Sequence, residues 1–243
     1  MSYELFYWPS IQGRGEFVRL ALEAAGADYV DVARAPPPQG GVRAMQRLMQ
    51  ARDAARPPLA PPFLRDGDLL IGQTAAILLY LGPRLGLVPA GEADRLWAHQ
   101  LQLTVADFVD EVHDTHHPIA GSLYYDDQRP EALRRAAAFR AERAEKFFGW
   151  FERVLARNPA GSAHLVGGAL SYPDLSLFQL VAGMRFAFPR AMARLETKLP
   201  HCVALHDAVR ALPRVAAYLA SPRRIAFNND GIFRHYRELD DQA

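Results

Sequence analysis

Every strand-like stretch in this chain falls within its first third, and no segment after residue 92 alternates as a strand does. Tyr3 to Tyr7 is a short aromatic-rich run stopped by Pro9 and reads as a strand. Gly15 to Ala25 places Phe17, Val18, Ala21, Leu22 and Ala25 at helical spacing, with Gly26 as the stop. Asp28 to Ala33 is strand-like again. The opening is therefore a β-α-β unit of about thirty residues, which favours parallel strands joined by a right-handed crossover. Ala35 to Pro62 is crowded with proline and glycine and reads as mostly irregular, with one helix from Val42 to Ala55. Phe63 to Arg65 and Leu69 to Ile71 flank Asp66-Gly67-Asp68, a hairpin signal. Gln73 to Leu85 then carries Ala76, Ile77, Tyr80 and Leu81 on one helical face.

Pro83 to Glu92 holds Pro83, Gly86, Pro89 and Gly91 and marks a boundary. Beyond it, Ala93 to His116, Pro130 to Ala156, Pro173 to Ala187 and His201 to Leu212 read as helices. Pro130 and Pro173 suit a first helical turn, where the missing N–H does no harm. Strands first and helices afterwards predict a mixed α/β domain over residues 1–85 and an all-α domain over residues 93–243. A further pattern lies at Ser171 and Asp174, a capping pair before the apolar run Leu175 to Val181.

Composition narrows the function classes. The formal net charge is +1, from 28 basic and 27 acidic residues, so the strong positive field of a nucleic-acid binder is missing. The single cysteine, Cys202, can form neither an internal disulfide nor a Cys-x-x-Cys redox pair, and it fits a reducing compartment. The first residues show no basic-then-apolar signal pattern, and no segment nears the ~20 apolar residues of a membrane span. The expectation is a soluble, cytoplasmic protein that contacts neither nucleic acid nor membrane. His113, His116 and His117 have a spacing compatible with a metal, but no further ligand is evident and none is assigned.

Four local sequences, in order, carry a family resemblance. Tyr7-Trp8-Pro9 followed by Gly13-Arg14-Gly15-Glu16-Phe17-Val18-Arg19 resembles the opening of the tyrosine-type glutathione transferases. Pro62-Phe63-Leu64-Arg65-Asp66-Gly67-Asp68 resembles their cis-proline strand and hairpin. Gln73-Thr74-Ala75-Ala76-Ile77 with Tyr80-Leu81 is similar to their glutamine-serine helix start, and Leu170 to Leu175 to their serine-aspartate helix cap. Together these cover nearly the whole chain. The chain resembles a bacterial-looking member of the cytosolic glutathione transferases, sigma-, mu- or pi-like. The resemblance implies a thioredoxin-like first domain, a helical-bundle second domain, a homodimer, and glutathione as co-substrate with a small electrophile, no other cofactor being called for.

Residue roles follow from that resemblance. A free thiol has a pKa near 8.5, so little is thiolate at neutral pH. Lowering it by ~2 units takes ~2.7 kcal/mol of preference for the anion. One hydroxyl donor to an anion supplies about 1.5–3 kcal/mol and a nearby helix start ~0.3–1 kcal/mol more. Tyr7 is the implied donor, with Arg14 beside it and Ser10 as the competing hydroxyl. Gln73 and Thr74, at a helix start, would grip the glutamyl carboxylate of glutathione. Pro62 is the implied cis-proline. Pro61 before it would face the cysteinyl part, with a carbonyl but no N–H. Trp8 would reach the glycyl end, along with one of Arg34, Arg43 or Arg47. Asp110, or Asp107 one turn earlier, would reach the glutamyl amine in the other subunit of a dimer. Tyr124, Tyr125 and the tail from Arg223 to Tyr236 are candidates to line the electrophile pocket. The reading is an enzyme that conjugates glutathione to small electrophiles or reduces organic peroxides; the alternative is a non-catalytic glutathione- or hydrophobic-ligand-binding protein of the same fold.

Overall fold

The computed structural model describes residues 2–51 and 55–240. Its first part runs β1 (Tyr3–Phe6), α1 (Gly15–Ala25), β2 (Tyr29–Asp31), a 3-10 turn (Val32–Arg34), α2 (Val42–Met49), β3 (Phe63–Asp66), β4 (Leu69–Gly72) and α3 (Thr74–Arg84). The strands form one sheet in the order β2-β1-β3-β4. β1 and β2 are parallel, as a β-α-β unit requires, while β1–β3 and β3–β4 are antiparallel. Gly67 at φ 59° supplies the left-handed residue of the two-residue turn between Asp66 and Leu69.

Neighbouring residues of each strand point to opposite faces. Leu5 and Leu64 go to one side, where they meet Val18 and Leu22 of α1 and Ile77 and Leu81 of α3. Phe6 and Phe63 go to the other, stacked at 4.6 Å and covered by Val32 and Met45. Fully burying one such side chain is worth about 1.5–3 kcal/mol. Both faces are filled, which fixes the register of the central strands.

Two elements are shorter than the sequence pattern implies. β2 stops at Asp31 because the carboxylate turns inward to Arg19 of α1, at 2.7 Å, and the backbone then coils into the 3-10 turn. α2 stops at Met49; Met45 is its one fully covered residue, so packing gives it little reason to extend. Residues 52–54 of the expected Val42–Ala55 helix lie outside the described residues.

The helical part comprises α4 (Glu92–Asp114), a 3-10 turn (Tyr125–Gln128), α5 (Arg129–Ala138), a π-helical turn (Phe139–Arg143), α6 (Ala144–Arg157), α7 (Tyr172–Ala187), α8 (Pro189–Leu195), α9 (Pro200–Ala211), α10 (Pro213–Leu219) and α11 (Arg237–Asp240). The helix expected from Pro130 to Ala156 is thus one rod with a π turn in its middle. α7 is the central helix, buried along almost its whole length. Its start is fixed by Asp174, fully buried, whose carboxylate accepts the Ser171 N–H at 2.7 Å, the Ser171 hydroxyl at 2.8 Å and the Leu165 N–H at 2.7 Å. α8, α9 and α10 each open on a proline in the first turn.

After α10 the chain leaves regular structure and returns over the first domain. Arg34 donates to the carbonyl oxygens of Pro222, at 2.9 Å, and Arg223. Gln12 donates to Ile225 O, and Asn228 to Ser10 O at 2.8 Å. Tyr236 then stacks on Tyr125 with ring centroids 3.8 Å apart, and Tyr125 donates its hydroxyl to Glu238. Asp240 ends this strap by accepting the Arg190 and Ala191 N–H groups, which caps α8. Among the described residues no helix is long and apolar enough to cross a membrane.

Candidate active site

The sheet register gathers the sequence-read residues at one edge. β1 and β3 pair Phe6 with Phe63, and β3 and β4 pair Phe63 with Gly72. The ladders end there, and Tyr7, Pro62 and Gln73 are the residues that adjoin the three strand ends, with Thr74 opening α3 just beyond. The same edge receives the N-terminus of α1 and that of α3. The Pro61–Pro62 peptide bond is cis, as the resemblance implies, and so is Pro37–Pro38.

Tyr7 is nearly buried, at 4% exposure. Its hydroxyl accepts the backbone N–H of Arg14 at 2.9 Å, one of the donors left open at the start of α1. Among the described residues nothing accepts the tyrosine's own proton. Burial raises its pKa above the ordinary tyrosine value, against the Arg14 N–H and the charges of Arg14 and Arg19, which act to lower it. The phenol therefore stays protonated at neutral pH and is a hydrogen-bond donor, not a base. The loop over it is made of glycines for lack of space. A Cβ on Gly13, at φ 47°, would fall 2.0 Å from the Tyr7 oxygen, and one on Gly15 would fall 2.4 Å from its ring.

Arg14 links this corner to the rest. Its carbonyl accepts the Thr74 hydroxyl at 3.3 Å, and its guanidinium pairs with Asp110 of α4. That pair is partly exposed and worth about 0–1 kcal/mol. Arg14, Gln73, Thr74 and Asp110 line one cleft of about 350 Å3 between the first domain and α4, with His99 and Gln102 on its far wall. Gln73 is the one non-glycine residue with positive φ (66°) among those described, immediately before α3. Such a backbone is costly by about 1–3 kcal/mol and persists where the surroundings enforce it, most often at binding sites.

Beneath Tyr7 lies a polar cluster that the sequence reading noted only as motif letters. Arg19 is fully buried, with its guanidinium carbon 5.6 Å from the Tyr7 ring centroid. Desolvation works against its charge, but Asp31 and Glu16 outweigh it and hold its pKa above the usual value. Glu16, also fully buried, accepts the Tyr218 hydroxyl at 2.6 Å and pairs with Arg224 of the strap. Arg224 also reaches Gln179 of α7 at 3.0 Å, and Gln179 donates to Gln12 at 2.7 Å. The signal was present: Glu16 and Arg19 stand three apart among the apolar residues of α1, whose one further charge is Glu23, and charges buried there must be paired.

Other candidates are placed differently. Trp8 and Ser10 are exposed, and the Ser10 carbonyl is taken by Asn228. Arg34 holds the strap, Arg47 donates to Pro38 O at 3.3 Å, and Arg43 is exposed. Asp107 is exposed on α4 one turn before Asp110. Tyr125 clasps the strap, and Tyr124 is 82% exposed. The three histidines pack with ring centroids 4.7–5.3 Å apart. His116 donates from Nε2 to Ile232 O at 2.8 Å, so its Nδ1 accepts from Nδ1–H of His117 at 2.5 Å. Burial, with Arg234 nearby, pushes His116 down to about 2 and His117 to about 4, so both rings are neutral. Among the described residues no group of three or more His, Cys, Asp or Glu gathers as a metal site. Burial pushes the Cys202 thiol up, which makes it unreactive.

Comparison with known proteins agrees with this arrangement. Residues 113–222 match the family model "Glutathione S-transferase, C-terminal domain". The chain is 22% identical to a glutathione S-transferase of Plasmodium falciparum over 227 residues, covering 92% of this chain and 98% of that protein. It is 26% identical to glutathione S-transferase P of Bos taurus over 229 residues, covering 92% and 94%. Among solved structures, the Onchocerca volvulus Pi-class glutathione S-transferase superposes with a TM-score of 0.67 at 20% identity, covering 90% of this chain and 92% of that one. Prostaglandin synthase D of Nilaparvata lugens gives 0.68 at 19% identity, covering 91% and 98%. A thioredoxin-like sheet domain followed by a helical domain, relatives matched over nearly their full length, and the four motifs at one sheet edge and one helix cap all make the chain similar to the glutathione transferases.

Proposed function

We propose that this protein is a glutathione transferase in which Tyr7 holds the glutathione sulfur as a thiolate for attack on small electrophiles or organic peroxides. The observation that carries the reading is the Tyr7 hydroxyl, which accepts from the Arg14 N–H and keeps its own proton for an outside acceptor. A hydroxyl polarised by a helix-start N–H is the donor that the ~2.7 kcal/mol of thiolate stabilisation calls for. In this reading Gln73 and Thr74 grip the glutamyl carboxylate with the open N–H groups of α3, and Arg14 lies between that cleft and Tyr7. Pro61 offers its carbonyl to the cysteinyl N–H, and Pro62 shapes the turn that presents it. Trp8 borders the glycyl end. Asp110 serves the glutamyl amine of a second subunit in a homodimer, when not paired with Arg14. Glutathione is the co-substrate and no further cofactor is invoked. A cytoplasmic location is part of the same proposal.

A test compares two variants. Tyr7→Phe should lower the conjugation rate with a chromogenic aryl halide ten-fold or more and raise the apparent pKa of bound glutathione. A pH–rate profile unmoved by Tyr7→Phe but collapsed by Ser10→Ala would transfer the role to the serine.

A second reading, a non-catalytic glutathione- or hydrophobic-ligand-binding protein, is favoured by two features. Pro61 cannot supply an amide donor. The strap residues Phe227, Ile232 and Phe233 also lie against Gln12 and Gly13 with only about 10 Å3 left between them. Glutathione binding without turnover of any aryl halide or hydroperoxide would select this reading.

A further inference from the structure

The four charges under Tyr7 come from three elements. Arg19 and Glu16 belong to α1 and are wholly buried; Asp31 ends β2 with its side chain 11% exposed; Arg224, in the strap, is 10% exposed. These two cations and two carboxylates balance. Two further groups lie at the margin: Arg34, 3.9 Å from Asp31 and partly exposed, and Arg14, which pairs with Asp110 of α4.

The carboxylate of Glu16 is not shared evenly. Its oxygen Oε1 takes both the Tyr218 hydroxyl and Arg224, while Arg19 lies 3.4 Å from Oε2. Arg19 is drawn mainly to Asp31, at 2.7 Å, and Nη2 of its guanidinium is buried with no hydrogen-bond acceptor. Arg224 thus occupies Glu16 and leaves the field of Arg19 directed at the Tyr7 ring above it. Without Arg224, a buried carboxylate would have Arg19 as its only close cation. Net charge beneath the site would fall by one where an anionic sulfur has to form, and opposed like charges raise the pKa of an acid.

We infer that Arg224, from the far end of the chain, is a positioning residue for Tyr7: by neutralising Glu16 it keeps Arg19 under the tyrosine ring and the ground beneath the thiolate uncharged. This rests on the reading of Tyr7 as the thiolate's donor. The occupancy of Gln179 by the same guanidinium, and of Gln12 by Gln179, ties the strap, α7 and the loop before α1 into one chain of contacts ending at the catalytic corner.

The experiment is a titration of the ultraviolet thiolate absorbance of enzyme-bound glutathione, with steady-state kinetics on an aryl halide. Arg224→Met should raise the thiol pKa by about 0.5–1 unit, which below that pKa means roughly three- to ten-fold less thiolate and the same loss in kcat. The KM for glutathione should stay within about two-fold, because the grip at Gln73 and Thr74 is untouched. Arg224→Lys, which keeps the charge, should behave nearly as the parent. Glu16→Gln alone should move the thiol pKa the other way, downward, and the double variant Glu16→Gln/Arg224→Met should return it close to the parental value. A merely structural role predicts instead that the double variant is as impaired as the single ones or worse. The inference is overturned by an unmoved pKa in Arg224→Met, or by a double variant whose pKa is not restored. Should Arg224→Met fail to fold, the downward shift in Glu16→Gln still decides: no shift, or an upward one, overturns it. Tyr7→Phe run alongside separates the two levels. If Tyr7→Phe leaves the thiol pKa unmoved, the proposed function falls and this inference with it. If Tyr7→Phe raises it and Arg224→Met does not, only the role of Arg224 is lost.

Discussion

At the scale of single residues, the site depends on two absent side chains as much as on those present. Tyr7 is clamped because Gly13 and Gly15 let the loop lie directly on its ring. Gly15→Ala would place a methyl group 2.4 Å from that ring, so either the loop lifts or the tyrosine turns. Overpacking of this kind costs typically about 1–3 kcal/mol, which a folded domain can survive. The expected outcome is a folded protein with a lowered thermal midpoint, kcat reduced ten-fold or more, and glutathione affinity changed little, since Gln73 and Thr74 are on another helix. Calorimetric titration beside kinetics checks the split. Full kcat in Gly15→Ala would mean that the loop does not set the position of Tyr7.

At the scale of elements, the end of α4 carries a pH response. His116 and His117 are held neutral, with pKa values lowered to about 2 and about 4. An unfolded histidine titrates near 6.5, so below that pH the unfolded chain binds protons that the folded one refuses. Their contribution to stability is therefore full above about pH 6.5 and is lost as pH falls, down to about 4 for His117 and about 2 for His116. The limiting slope is about 1.4 kcal/mol per pH unit for each ring. Thermal midpoints measured from pH 7.5 down to 5 should fall in the parent and fall less steeply in His116→Asn, which keeps a donor for Ile232 O but cannot titrate there. Parallel curves would assign the acid limb to other groups. The elements themselves were largely legible: Leu5 and Phe6 alternate across a sheet, Asp66 to Asp68 turn a hairpin, and Ser171 with Asp174 starts a helix. Periodicity finds what repeats, so it missed the seven-residue helices α8 and α10, too short to show a full pattern. It could not reach the strap either. Residues 222–236 are held by bonds such as Gln12 to Ile225 O and Asn228 to Ser10 O, which join positions more than 200 apart and leave no local trace. The same holds for the site. Tyr7, Gln73 and Thr74 stand out in the sequence as candidates because each adjoins or begins an element, whereas the partners of Glu16 are set by tertiary contact alone.

At the scale of the whole molecule, α4 presents a face that its own chain does not cover. Leu96 is 64% exposed and Leu103 47%, one heptad apart, with Asp107 and Asp110 following on the same side. A homodimer that buries this face is the proposed assembly, and sedimentation at micromolar concentration should give twice the 27.1 kDa of the chain. A single 27.1 kDa species would remove the cross-subunit role of Asp110. The strap has a consequence in time as well. Glu16 meets Arg224 across 208 positions of sequence. At about 5–20 residues per second of synthesis, on the order of 10–40 s separate the emergence of the two. During that interval the sheet domain can form, yet the carboxylate at its base has no partner from the strap and no Tyr218. The first domain is therefore made well before the strap that supplies Glu16 with its Arg224 partner.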